Sequence, residues 1–233
     1  MGFIPLFLDV SARQCLVIGG GESAARRARA LIEAGASVTV IAQEPGAGIA
    51  ALAECGALRL AACAYTRGAL RDFVLAYVTV PDAEVAREAA AEARELGIPL
   101  NVEDRPDLCS FIAPSVVKRG DLQIAVSTGG ASPALAKLLR EEIELRFGPE
   151  YGFLAQILAA ARRRLRRSEP DAVTRARILD ALVRSELREH IRAHNYDAAE
   201  QIVAFHLGCG LTDLGFDHTR SATTAASDVF DPE

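Results

Sequence analysis

An α/β fold with a parallel sheet, followed by a hairpin-plus-helix region and a helical module, is predicted by three observations. Short β-branched runs alternate with longer Ala/Arg/Glu-rich stretches from Gln14 to Val102, and the glycine run Gly19-Gly20-Gly21 separates the first strand from the first helix. After Asp104 the alternation gives way to two strand-like runs and then to helix alone. The chain has 233 residues, 50% of them hydrophobic, so it can bury a substantial core without a metal or disulfide staple.

Strands are predicted at Cys15–Ile18, Ser37–Ile41, Leu58–Cys63, Leu75–Val80 and Pro99–Val102. Between the first two, Ala24, Ala28, Leu31 and Ile32 recur at helical spacing over Ser23–Ala34, and Gly35 supplies the stop. A second crossover helix is expected over Pro81–Leu96, with proline in its first turn and Gly97 at its end. Phe111–Val117 and Leu122–Val126, joined through Lys118-Arg119-Gly120-Asp121, read as a hairpin. Ser132-Pro133 opens a helix to about Arg146, stopped by Gly148-Pro149. From Tyr151 to about Phe205 the pattern is helical, with breaks near Ser168-Glu169-Pro170 and His194-Asn195, and the Gly/Thr/Ser/Asp-rich stretch from Gly208 is expected to be a loose tail. The expected domains are therefore residues 1–112, 113–148, 149–207 and 208–233.

Charge and cysteine usage narrow the function. A net charge of −5 argues against nucleic-acid binding, which needs a basic surface. Five cysteines without a C-x-x-C pair argue against a disulfide framework or zinc knuckle and for a reducing, cytoplasmic compartment. No apolar run approaches a membrane span and the start lacks a signal-peptide pattern, so neither a membrane nor export is expected. The partner is sought in a pocket.

Gly19-Gly20-Gly21-Glu22-Ser23-Ala24 fits G-x-G-x-x-A between a strand and a helix. Gly19 suits the tight turn, Gly21 the approach of a pyrophosphate and Ala24 close helix packing, while the helix N-terminus faces the phosphate charge. This context predicts a Rossmann-type dinucleotide-binding domain; the alternative is a structural turn that happens to be glycine-rich. The ribose carboxylate expected about 20 residues on is replaced by Gln43-Glu44, and no arginine follows the second strand, which favours NAD over NADP.

Asn101-Val102-Glu103-Asp104-Arg105 ends the fifth strand, where open α/β sheets present ligand-contacting groups. A carboxylate there suits a general base, with Glu103 and Asp104 equally placed; the alternative is a solvated aspartate paired with Arg105. Ser127-Thr128-Gly129-Gly130-Ala131-Ser132-Pro133 is a second small-residue loop before a helix, either an anion site or an ordinary capped turn, and Lys118, Arg119, Lys137 and Arg140 flank it. His190 and His194 stand four apart but lack a third ligand, so no metal site is expected, and the run Arg162 to Arg167 reads as a solvated helix face.

Leu6-Phe7-Leu8-Asp9, Cys15 to Gly21, Leu31 to Ala36, Asn101 to Asp104, Ser110 to Ser115 and Ala125 to Pro133, taken in order, resemble the precorrin-2 dehydrogenase / sirohydrochlorin ferrochelatase family. That module is found alone or as the N-terminal part of siroheme synthases. The resemblance is strong over about residues 3 to 150 and less distinct to about 205. It implies a homodimer, oxidation of precorrin-2 to sirohydrochlorin with NAD, and in many members insertion of Fe2+ to give siroheme. Carried over by position, Glu22, Ser23, Gln43 and Glu44 join Gly19 and Gly21 as cofactor contacts, and Asp104 falls on the family's catalytic aspartate. Asn101, Ser127, Thr128, Gly129 and Ser132 are the expected contacts to the polycarboxylate tetrapyrrole. The sequence departs from the family pattern at Thr128, Glu103 and Val80-Pro81-Asp82, and Pro81 removes an N–H near the cofactor. A dehydrogenase without chelatase activity and a non-catalytic NAD-sensing module are the alternatives.

Overall fold

The computed structural model describes residues 2–216. The described residues divide into two compact units, residues 2–113 with Thr128–Ser132, and Pro114–Ser127 with residues 133–216.

The first unit is built on five parallel strands, β1 (Gln14–Ile18), β2 (Ser37–Ile41), β3 (Arg59–Ala61), β4 (Leu75–Val78) and β5 (Leu100–Val102), in the order β3-β2-β1-β4-β5. The order reverses between β1 and β4, and a crevice forms beyond the strand ends at such a switch point. β1 pairs in register with β2 (Ile18 opposite Ile41) and β4 (Ile18 opposite Val78), so three carboxyl ends finish at one level.

Alternation along β1 sorts the core into two layers. Cys15 and Val17 pack with Ala24, Ala25, Ala28 and Leu31 of α1 (Glu22–Glu33) and Ile49 of α2 (Ala47–Glu54). Leu16 and Ile18 pack on the other face with Ala86, Ala89, Ala90 and Ala93 of α3 (Ala83–Leu96). Covering both faces explains why the strands read as continuous apolar runs.

The structure adjusts several boundaries. α3 starts at Ala83, not Pro81: the Asp82 carboxylate accepts hydrogen bonds from the N–H groups of Glu84 (2.7 Å) and Val85 (3.3 Å), leaving Pro81 outside the helix. Gly97 ends it with φ +69°. Helix α2 had no forecast; Ile49 is its one buried residue, too little for a visible period. The hairpin strands are β6 (Ser115–Arg119) and β7 (Leu122–Val126), later than expected at the start. Phe111 belongs to the first unit, where its ring meets Tyr77 edge-on at 5.4 Å. Gly120, with φ +56°, supplies the left-handed backbone of the two-residue turn.

In the second unit α4 (Pro133–Arg146) packs on the hairpin. α5 (Glu150–Ser168), α6 (Ala172–Arg184), α7 (Leu187–Arg192) and α8 (Tyr196–Leu207) surround a core of Ile157, Ala161, Leu182, Leu187 and Val203. Both expected breaks are present, and a third lies at Ser185, whose hydroxyl donates to Leu182 O (2.7 Å) and accepts from Leu187 N–H (3.3 Å). The tail does not loosen at Gly208: Leu211 is fully buried, its N–H donates to Glu200 Oε2 at 2.7 Å, and Leu214 and Phe216 pack on the same core. The rest of the expected tail, 217–233, lies outside the described residues. Among the described residues, no helix is long and apolar enough to cross a membrane.

Candidate active site

Each glycine of the first turn has a different geometric duty. Gly19 has φ +136°, and a Cβ there would lie 2.2 Å from Thr79 Oγ1, so only glycine lets β1 turn beside β4. A Cβ on Gly20 would lie 2.3 Å from Glu44 O; the turn after β2 rests on this residue, with Gly46 N–H donating to Gly20 O at 2.8 Å. Gly21 faces open space, where a Cβ would meet nothing within 4 Å, and it precedes α1 with no side chain capping the helix. Uncapped N–H groups and the positive end of the helix dipole above an open glycine fit the pyrophosphate of a dinucleotide. Ala24 is fully buried, as close helix packing requires.

The remaining cofactor candidates surround this turn unequally. Glu22 and the side chains of Gln43 and Glu44 are exposed. Ser23 is half-buried and engaged: its hydroxyl donates to Glu103 Oε1 and accepts from Arg26 (3.2 Å), and Arg26 reaches Glu103 at 3.9 Å. Thus Glu103, one of two candidate bases, is turned toward α1.

Asp104 is exposed and adopts φ +57°, a left-handed conformation that aspartate tolerates better than most residues. Among the described residues no hydrogen bond or ion pair occupies its side chain, and Arg105 is not its partner. The loop below it is closed by Cys109, whose thiol accepts from Val102 N–H (3.1 Å) and lies 3.2 Å from Val102 O and 3.3 Å from Arg105 O. Burial pushes this thiol's pKa up, so it stays protonated as a donor. Ser110 completes the closure, its Oγ accepting from Leu100 N–H at 2.8 Å. Neither Cys109 nor Thr79 carried a sequence signal, since each acts through a tertiary partner.

The expected substrate contacts separate. Asn101 gives its amide to Phe111 O at 3.0 Å and so acts first on the backbone. In the second small-residue loop, Thr128 Oγ1 accepts from Ser132 N–H and donates to Ser132 O, both at 3.0 Å, while Gly129 and Gly130 take positive φ. Thr128, Gly129 and Ser132 group with the first unit, and Ser127 with the second. The flanking cations are less available than expected: Arg119 and Arg140 both pair with Glu144, and Lys137 meets Glu141 at 4.0 Å.

Two hollows of about 380 and 320 Å3 lie in the helical unit, one beside His190 and His206, the other beside Arg162, Arg166 and Arg175. Neither contains an expected cofactor or substrate contact; open α/β sheets take dinucleotides in the crevice at the switch point rather than in an enclosed cavity. Arg162 to Arg167 are exposed apart from Leu165. No group of three or more His, Cys, Asp or Glu side chains among the described residues is placed to hold a metal.

Comparison with known proteins agrees with the fold of the first unit. Residues 6–115 match a family model described as "Putative NAD(P)-binding", and residues 119–145 match "Sirohaem biosynthesis protein central". The siroheme synthase of Methylococcus capsulatus is 37% identical over 87% of this chain and 43% of its own length. That of Methylobacillus flagellatus is 43% identical over 70% of this chain and 35% of its own length. The chain thus spans less than half the length of these curated relatives. The solved structure of "SirC, precorrin-2 dehydrogenase" superposes with a TM-score of 0.70 at 24% identity, covering 86% of this chain and 98% of that one, a likeness of fold. With its NAD(P)-binding and sirohaem central segments in sequence order, the chain is similar to siroheme synthases over part of their length.

Proposed function

We propose that this chain oxidises precorrin-2 to sirohydrochlorin with NAD, as a cytoplasmic homodimer. One observation carries the reading: an exposed carboxylate without a side-chain partner, Asp104, follows β5 in the unit that carries the open glycine turn and the uncapped α1 N-terminus. The family relatives and the fold of SirC support it.

NAD, when bound, supplies the hydride acceptor. Gly19, Gly21 and the first turn of α1 would hold its pyrophosphate, and Gln43 and Glu44 would serve its ribose. The macrocycle loses a proton together with the hydride, and Asp104 Oδ takes that proton. Exposure of Asp104 lets solvent remove the proton afterwards. Asn101 and the Thr128–Ser132 segment of the same unit contact the tetrapyrrole and its carboxylates.

We further propose that Fe2+ is a second substrate, inserted into sirohydrochlorin to give siroheme. Insertion requires the macrocycle to shed two pyrrolic protons, the same demand on the same carboxylate.

Anaerobic incubation with precorrin-2 and NAD, followed by absorbance of NADH and sirohydrochlorin, tests the first reaction; adding ferrous iron tests the second. The expected result is NADH formation that Asp104→Ala abolishes, then iron-dependent conversion above the uncatalysed rate. NAD binding without either reaction would leave a sensing module, and oxidation without iron insertion a dehydrogenase alone.

A further inference from the structure

The Ser23–Glu103 hydrogen bond joins positions 80 residues apart, one in the first turn of α1 and one immediately before Asp104. α1 is a rigid anchor, because Ala24, Ala25 and Ala28 are buried against β1 and β2. Arg26, one turn along the same helix, donates to Ser23 Oγ and faces the Glu103 carboxylate, so it orients the acceptor as well as the donor. On the far side of Asp104 the loop is tied to β5 through Cys109. The left-handed residue between these ties has its backbone direction set from both neighbours.

We propose that Glu103 is a positioning residue for Asp104: by accepting from Ser23, it registers the aspartate's loop to the cofactor-binding helix. The inference rests on the proposed role of Asp104 in oxidation. It also reassigns Ser23, whose hydroxyl serves the loop and whose backbone N–H alone serves the cofactor. Exposed ion pairs contribute little to stability, and the Arg26 and Glu103 side chains are 57% and 33% exposed, so the cluster's effect falls on orientation. Reacting groups tolerate little displacement: an error of about 1 Å costs about a hundredfold in rate.

The test is steady-state oxidation of precorrin-2 by the full chain, comparing wild type, Glu103→Ala, Glu103→Gln, Ser23→Ala, the Ser23→Ala/Glu103→Ala double variant and Asp104→Asn. Glu103→Ala is expected to lower kcat about tenfold while leaving the KM for NAD within about threefold. Glu103→Gln, whose amide oxygen still accepts from Ser23, is expected to recover most of that loss. The double variant should be no slower than the slower single variant, as for partners in one bond. Thermal melting of each variant shows that the fold is intact; should Glu103→Ala fail to fold, the Gln and Ser23 variants carry the comparison. A Glu103→Ala enzyme within twofold of wild type, a loss shared equally by Gln and Ala, or multiplying effects in the double variant would overturn the proposal. Wild-type turnover in Asp104→Asn would instead remove the reading on which it rests.

Discussion

The connector from β3 to β4, residues 62–74, and the loop after β5, residues 103–109, both belong to the first unit and both have an acidic residue beside them, yet they use it in opposite ways. Glu92 of α3 is 3% exposed and accepts from the Tyr65 hydroxyl and from the N–H groups of Gly68 and Leu70, each at 2.9 Å. Burial pushes its carboxyl pKa up, but these hydrogen bonds outweigh it and hold the group below the usual range. Its partner Tyr65 is driven well above its ordinary value, by burial first and then by the carboxylate. In the Asp104 loop the polar backbone is tied by Cys109 and Ser110, and the carboxylate is left exposed. A carboxylate consumed by its own loop is architecture; one that the loop has no need of is free for chemistry.

Exchanging the two carboxylates for neutral groups should separate these roles. Asp104→Asn is expected to lower kcat about a hundredfold or more with an unchanged melting temperature, because asparagine also tolerates the left-handed backbone. Loss of folding in that variant would erase the contrast. Glu92→Ala is expected to cost about 3 kcal/mol in urea unfolding, since it orphans two N–H groups and a buried phenol. The sign of the pH effect follows from the lowered pKa: the contribution of Glu92 is complete above about pH 4.5 and declines as pH falls through its lower folded value. Glu92→Gln should flatten that acid limb in pH-dependent melts. Gly19→Ala, forced against Thr79 at φ +136°, should weaken NAD binding about tenfold by fluorescence titration while leaving the Glu92 connector untouched. The smallest effect belongs to Cys109: replacement by Ala leaves Val102 N–H unpaired at about 1 kcal/mol and slows turnover a few-fold. Cys109→Ser, which keeps both a donor and an acceptor, should restore turnover to near wild type.

The parallel sheet, the glycine turn and the helical module were legible because each is written in local periodicity or in a residue that only one backbone accepts. Gly35 and Gly97 announced the ends of α1 and α3 in this way, and both have positive φ. Helix α2 was illegible because it is short and fully buries only Ile49, with Leu52 and Ala53 packing on the core at its margin. The start of the hairpin was misread because Phe111 is apolar for the sake of Tyr77, not of a strand. At the site, spacing identified the end of β5 but left Glu103 and Asp104 equivalent. The family resemblance favoured Asp104, and in the structure Glu103 is engaged by Ser23, 80 positions away, a pairing that no local pattern encodes. Likewise, the cations near the hairpin looked available until Glu141 and Glu144 were found beside them.

The positive φ of Asp104 has a consequence for directed evolution. A library randomised at this codon and sorted for foldedness should be enriched in glycine and asparagine and purged of valine and isoleucine, which the left-handed region penalises most. The same library sorted for turnover should return aspartate alone. Two screens on one codon would thus read backbone geometry and acid–base chemistry as separate traits.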